Sequence, residues 1–524
     1  MLTNLKKSTS LNHISLIFVL AFIVFISLLW SDSQSLIAHD EGLYARRAKF
    51  ILESGNWLSP FSSPHHKTVG SYWTLAISFK LFGISDWASR LPSTVAGLIA
   101  TLFFYFTALK YFKPLNSLTA SLALMAMPMY FQSLRTACSD MVFIALLMSQ
   151  IYFLVSADEA SYSLSRWRIF GFGVCVALAF FVRSLVAFIP LLSLLPLIFV
   201  RRFLLFKSFW FWAISGLLLG SIPLLLSLIA VFSDHGYAGI VSLISFASKK
   251  ADMTEWNLSY SIPFYFSRLI LLTFPACIFL IPRLKAPNKK IFSSKVYSLQ
   301  MELNSLTVFF PLIYLMILSC MGARHYHYLI PLVPMVALNI ARIDLISKRS
   351  QFRFEANFAG FLGVLYLLGA LILIFNHDDL QKPSLYLGLI AIIFSSISCW
   401  YAFFGKVFVR RKVTPFALIF IIFMSQYLTL FALSSSGIIW NTNKELKSMA
   451  NSINNECKWS GAYLYGLDSK DITILRFYLD GAYVLRSLED SSASPRRCLV
   501  SVNSAKKELS QDLQRNKFSK IYFR

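Results

Sequence analysis

The sequence predicts a polytopic α-helical membrane protein, and three observations carry that prediction. Of 524 residues, 56% are hydrophobic and 14% charged, with a mean hydropathy of +0.62, whereas soluble chains carry about 25% charged residues. Apolar runs of about 20 residues, the length that spans a bilayer, recur along most of the chain. The basic residues fall in short clusters between those runs, on alternate sides, as the positive-inside rule requires. A formal net charge of +24 would suit a nucleic-acid partner. Clusters placed in this way are explained by membrane topology instead, so the expected partner is the lipid bilayer and no nucleic acid.

Lys6 and Lys7 precede the apolar run 14–30. The run is long and no small-residue cleavage site follows, so it is expected to be a retained first span. Thirteen candidate spans result, at about 11–30, 92–109, 115–131, 139–156, 169–183, 185–200, 209–232, 263–282, 305–321, 326–341, 357–376, 384–404 and 415–436. With a cytoplasmic N-terminus, Lys6 and Lys7, Lys110 and Lys113, Arg166 and Arg168, and the basic clusters at 201–207, 283–295, 342–353 and 406–412 all fall inside. Only Arg135, Arg183, Lys249, Lys250, Arg324 and Lys382 remain in the short outside loops. An error of one span would swap every later loop, so the alternation supports an odd count and an extracytoplasmic C-terminus.

The transmembrane part is expected to occupy 1–440. Two of its outside segments exceed a turn. In 31–91, Tyr44, Ala48, Ile51 and Leu52 line one helical face, and Tyr72, Leu75, Ala76 and Phe79 line another; such helices lie in the membrane interface. The second is 233–262. Over 441–524 the composition turns to Lys, Glu, Asp, Ser and Asn, with short β-like runs at 462–465 and 483–485. This is the pattern of a small extracytoplasmic α/β domain. Cys138, Cys175, Cys277, Cys320 and Cys399 fall in or beside spans as packing residues, and no cysteine spacing resembles a zinc site. Cys457 and Cys498, the two in the tail, can form a disulfide in an oxidising compartment, although spacing alone does not bring them together.

Chemistry concentrates at the outer face. Asp40 and Glu41 follow the first span. Asp40 either caps the first amphipathic helix, with Glu41 favouring the helix dipole, or is a general base at the membrane surface. Asp140 opens the fourth span and either pairs with Arg135 or faces a cavity. Lys67, Arg183 and Arg324 run against the positive-inside bias; singly, each can snorkel to headgroups. Together, two carboxylates and several cations at one interface suit transfer of a group away from a lipid phosphate. The cations hold the phosphate and stabilise the charge it gains, and a carboxylate deprotonates the nucleophile. A transporter or flippase of lipid-linked glycans is the alternative, but it should carry ionisable groups near mid-bilayer and internal repeats. An inactive relative that binds the same lipids shares the cations and stays open.

Asp40-Glu41-Gly42-Leu43-Tyr44-Ala45, then Gly55-Asn56-Trp57-Leu58-Ser59-Pro60, Lys67, Tyr72-Trp73 and Arg90-Leu91-Pro92 resemble the first outside loop of the dolichyl-phosphate-mannose protein mannosyltransferase-like family. That family includes the transferases of 4-amino-4-deoxy-L-arabinose. Asp140, Phe181-Val182-Arg183-Ser184 with Pro190, and the stretch from Arg324 to Pro334 look like later family features. The resemblance implies a GT-C glycosyltransferase fold of about thirteen transmembrane helices and a polyprenyl-phosphate-linked sugar as donor. It implies an extracytoplasmic acceptor: a glycan, a glycolipid such as lipid A, or a protein. Asp40 takes the catalytic position, with Glu41 and Asp140 as further carboxylates. Lys67, Arg183 and Arg324 are implied for the donor phosphate, and Tyr44, Tyr72, Trp73, His325 and Tyr328 for the acceptor or sugar. The chain departs at Thr68-Val69-Gly70, where the family has Pro-Pro-Leu. It also has His66 where some aminoarabinose transferases carry a metal-associated glutamate, so no metal cofactor is expected.

Overall fold

A computed structural model of the chain describes residues 14, 17–37, 41–157, 162–201, 207–251, 258–279, 294–322, 324–341, 349–376, 383–407, 415–435, 437, 439, 444–456, 462–479, 482–484, 498–501 and 520–523. Asp40 and Cys457 lie outside the described residues. Among the described residues, six helices are long and apolar enough to cross a membrane, and four shorter apolar helices accompany them.

The first apolar helix, α1 (Ile17–Ile26), leads into the outer segment. Two helices follow, α2 (Leu43–Ser54) and α3 (Gly70–Phe82), then the span α4 (Asp86–Leu109). The chain returns through α5 (Pro114–Ala126) and α6 (Pro128–Leu134) and goes down again in α7 (Asp140–Ser156) and up in α8 (Tyr162–Arg183). A proline opens both α5 and α6, where its missing N–H has no intrahelical partner to lose.

The apolar stretch Ser165–Val200 is helical over 36 residues, yet it is two passes. Ser184 takes a left-handed φ of 52° between α8 and the short helices α9 (Phe188–Ser193) and α10 (Leu195–Val200). At one end of α7, Asp140 pairs with Arg183. At the other end, Arg201 donates to the carbonyls of Val155 and Ala157. Residues 184–200 therefore run back along the length of α7. The same far end holds Glu302, paired with Lys110 at 3.0 Å and Arg201 at 3.3 Å.

Helix α11 (Lys207–Ala251) packs along α8. A Cβ at Gly173 would fall onto the Ala213 carbonyl, and one at Gly216 onto that of Phe170. Glycine thus lets the two backbones touch, the packing mode favoured between membrane helices. The segment 233–262 is entered by helix from both ends. The chain breaks its helical geometry only at Gly236 (φ 59°) and continues as helix to Ala251. Helices α12 (Leu258–Leu272), α13 (Ser294–Asn304), α14 (Phe310–Ser319), α15 (Val333–Ile340), α16 (Arg349–Asn376), α17 (Pro383–Val407) and α18 (Pro415–Ser435) complete the bundle.

The C-terminal segment carries α19 (Lys444–Glu456) and α20 (Ser469–Tyr478) with strands β1 (Ala462–Leu464), β2 (Tyr483–Val484), β3 (Cys498–Ser501) and β4 (Lys520–Phe523). All pairings are parallel, in the order β2-β1-β3-β4. Cys498 is disulfide-bonded, whereas Cys138, Cys175, Cys277, Cys320 and Cys399 form no disulfide. Leu446, Ala450, Leu464, Ile474 and Phe477 of this segment join Tyr44, Ala48, Ile51, Tyr72, Leu75 and Phe79 in one core. The amphipathic faces of α2 and α3 are therefore covered by protein, not laid on lipid as their pattern alone suggests. Burying each Leu, Ile or Phe of such a face contributes roughly 1.5–3 kcal/mol.

Candidate active site

The segment after α1 is organised by Glu41, whose side chain is buried. Its carboxylate accepts from Arg90 Nε at 2.9 Å and Arg90 Nη2 at 2.8 Å. It also accepts from Ile37 N–H at 2.9 Å and Ala137 N–H at 2.8 Å. Arg90 donates further to the carbonyls of Ser31, Gln34 and Ser35. One bidentate pair thus ties the outer ends of α1, α4 and α7 together. Both oxygens of Glu41 are engaged in holding the fold. The N-cap reading of Asp40 falls outside the described residues.

Beside this knot lies a cavity of about 610 Å³. Lys67, Asp140, Arg183, Tyr44, His66, His325 and Tyr328 line its polar end. Asp140 and Arg183 form an ion pair there, and Cys138 Sγ lies 3.4 Å from Asp140 Oδ2. Lys67 Nζ donates to Tyr44 Oη at 3.2 Å and stands 4.8 Å from the centre of that ring. Burial opposes ionisation of the Tyr44 phenol, but the charges of Lys67 and Arg183 outweigh it and pull the phenol below the usual tyrosine value. The polar end therefore holds two cations, of which Arg183 is paired with Asp140.

Much of the rest of the wall is apolar. Leu185, Phe188 and Leu192 line it and are 44%, 47% and 46% exposed; Ile244 of α11 lines it at 57%. Their spacing of three and four residues directly after Arg183 was the available sequence signal for this wall. Gln132, Ser133 and Thr136 also line the cavity without having been singled out.

Other expected residues fall elsewhere. Asp140 pairs with Arg183, not with Arg135, whose guanidinium donates to the carbonyls of Ser27 and Leu29. Arg324 does not line the cavity; it donates to Ser261 Oγ at 3.1 Å and stacks over Tyr260 at 4.9 Å. Tyr72 is buried and accepts from Arg47 at 2.6 Å. Trp73 donates to the Trp57 carbonyl at 2.7 Å and packs edge-on against Phe181. Both are packing residues of the outer segment. Among the described residues, no group of three His, Cys, Asp or Glu side chains is arranged to hold a metal ion.

A largely helical bundle, with helices long and apolar enough to cross a membrane and a cavity lined by basic residues at one end, defines a polytopic helical membrane protein. Its fold is that of the GT-C proteins. It matches the crystal structure of ArnT from Cupriavidus metallidurans bound to undecaprenyl phosphate, with TM-score 0.67 at 17% identity over 97% of this chain and 90% of that one. The apo form of the same protein matches with TM-score 0.62 at 15% identity over 97% and 89%. Residues 66–226 match the family model of dolichyl-phosphate-mannose-protein mannosyltransferases. The undecaprenyl phosphate-alpha-4-amino-4-deoxy-L-arabinose arabinosyl transferase of Aeromonas hydrophila is 27% identical over 190 residues, 35% of each chain. That of Yersinia enterocolitica is 25% identical over 244 residues, 44% of this chain and 43% of the other. The chain thus matches less than half the length of these curated relatives. The chain is similar to these proteins over part of its sequence and shares the fold of the ArnT structure.

Proposed function

We propose that the protein is a glycosyltransferase that moves a sugar from a polyprenyl-phosphate-linked donor to an extracytoplasmic acceptor: a glycan, a glycolipid such as lipid A, or a protein. The observation that supports it most is the cavity, with Lys67 and Arg183 at a polar end and a largely apolar wall. A donor of this class has a phosphate head and a hydrocarbon tail. Its head would lie between Lys67 and Arg183, and its tail along Leu185, Phe188 and Leu192. The names of the relatives in Aeromonas and Yersinia place a pentose on such a carrier.

In the proposed reaction the bond between the sugar's anomeric carbon and the phosphate oxygen breaks. The phosphate keeps the electron pair, and the two cations stabilise the charge it gains. An acceptor hydroxyl attacks the opposite face with inversion and gives its proton to Asp40. An acceptor that is already an ionised phosphate needs no base, and Asp40 then orients the sugar centre. Asp140, paired with Arg183, fixes that cation at the polar end. His66 at the position of a metal-associated glutamate supports turnover without a divalent metal. The charge pattern of the loops supports an inner-membrane placement with the N-terminus cytoplasmic and this face, with the C-terminus, extracytoplasmic.

The test is mass spectrometry of polyprenyl-phosphate sugars and envelope glycans from cells with and without the gene. The reading expects one lipid-linked sugar to accumulate in its absence and one glycan to lose the same sugar. Identical lipid and glycan profiles would overturn it.

A further inference from the structure

The turn at residues 36–42 is tied on two sides, and only one of them belongs to the membrane bundle. On the bundle side Glu41 accepts from Ile37 N–H and from Arg90. Gly42 N–H donates to the Ile37 carbonyl at 2.9 Å, so the two ends of the turn hold one another. On the outer side both ends meet α20. Leu36 N–H donates to Tyr478 Oη at 2.9 Å. Tyr478 O–H donates in turn to Asp86 Oδ1 at 2.8 Å, and Lys447 of α19 pairs with the other oxygen of Asp86. At the far end, Gly42 stands so close to α20 that a Cβ there would come within 2.7 Å of Ile474 Cδ1. Lys49 of α2 donates to the Phe477 carbonyl at 3.3 Å. One helix of the C-terminal segment thus touches the entrance and the exit of the turn whose sequence contains Asp40.

We infer that Tyr478 is a positioning residue of the transfer reaction, fixing through Leu36 where this turn enters the site. The inference rests on the transferase reading. A phenol suits the role because one oxygen accepts from the first partner and donates to the second. The turn and the N-terminus of α4 are thereby joined through a single atom. Lys67 and Arg183 take no part in this chain of bonds. Loosening the turn therefore lowers the rate of the chemical step and leaves the grip on the lipid phosphate intact. A misplacement of reacting groups by about 1 Å costs up to about a hundredfold in rate.

Tyr478→Phe keeps the ring and removes both hydrogen bonds. In the full-length protein, hydrogen–deuterium exchange of the peptide covering 35–42 is read beside the affinity for undecaprenyl phosphate. Donor consumption is read in gene-deleted cells complemented with each form. Exchange at the turn should quicken and donor consumption should slow about tenfold to a hundredfold, while the affinity stays unchanged. Lys447→Met, which releases Asp86 from the far side, should act in the same direction and serves if Tyr478→Phe accumulates poorly. Unchanged exchange would remove the frame, and faster exchange with unchanged consumption would remove the positioning role. A fall in affinity that accounts for the slower consumption would also overturn it. If the wild-type gene restores no donor consumption, the transferase reading fails and the role with it, while the exchange experiment still reports on the frame.

Discussion

Glu41→Ala removes a carboxylate that accepts four hydrogen bonds and leaves Arg90, 3% exposed, without its counter-ion. Deleting one partner of a buried ion pair costs about 3–5 kcal/mol, because the remaining charge stays desolvated. Two features pull against each other within that range. Arg90 keeps the carbonyls of Ser31, Gln34 and Ser35 as acceptors, which moderates the loss. The N–H groups of Ile37 and Ala137 lose theirs, at about 1–3 kcal/mol for the buried one of Ala137 where water does not replace the oxygen. The expected destabilisation stays at about 3–5 kcal/mol, read by equilibrium unfolding in detergent. Replacing both partners together, as Glu41→Leu with Arg90→Met, removes the stranded charge and should recover most of the loss. A Glu41→Ala protein as stable as wild type, or a double variant no better than the single one, would refute the reasoning.

Asp40→Asn should behave in the opposite way, with unchanged unfolding and a rate lower by roughly 10²–10⁴; wild-type turnover by the purified variant would move the role to Asp140. Arg183→Ala should weaken undecaprenyl phosphate binding about tenfold to a hundredfold, as loss of a charge-assisted hydrogen bond of roughly 1.5–3 kcal/mol implies, whereas Arg324→Ala should change it little. Equal effects in titrations of both variants would contradict the placement of Arg324 outside the cavity. Burial, with the Arg47 guanidinium, pushes the His65 imidazole from 6.5 down to about 3. The unfolded chain then binds a proton there that the fold does not, so this contribution to stability is full above pH 6.5 and shrinks as pH falls toward 3. His65→Gln should flatten the melting temperature over that window, and parallel curves would count against it. Cys498 should resist maleimide until reductant is added; labelling without reductant would contradict its disulfide.

The periodicity of the sequence tells which faces of its helices are hidden but not what hides them. Tyr44, Ala48 and Ile51 are read correctly as one face of α2, yet that helix packs against α20, some 400 positions later, a distance no local pattern reports. The same limit explains the carboxylates. Glu41 next to Asp40 reads as a second catalytic acid, and nothing local announces Arg90, 49 residues away, which closes on it. Arg135 has a plausible partner in Asp140 by sequence distance, and the fold instead spends it on backbone carbonyls at the end of α1. What loop charge can convey is which end of the bundle a residue occupies. Lys67, Asp140, Arg183, Tyr44 and Tyr328 do converge on one cavity. Arg324 shares their end of the bundle but points to α12, a matter of side-chain direction that charge counting does not contain.

A lipid-borne donor entering beside Leu185, Phe188 and Leu192, as the proposed function has it, changes what concentration means for this site. A ligand that arrives by that route never leaves the plane of the membrane, so its encounter rate follows its mole fraction among the lipids, not its amount per litre of cell. Diluting the bilayer with inert lipid should lower occupancy of the cavity even when the total quantities of protein and ligand are fixed. Concentrating both into a small patch of membrane should raise it.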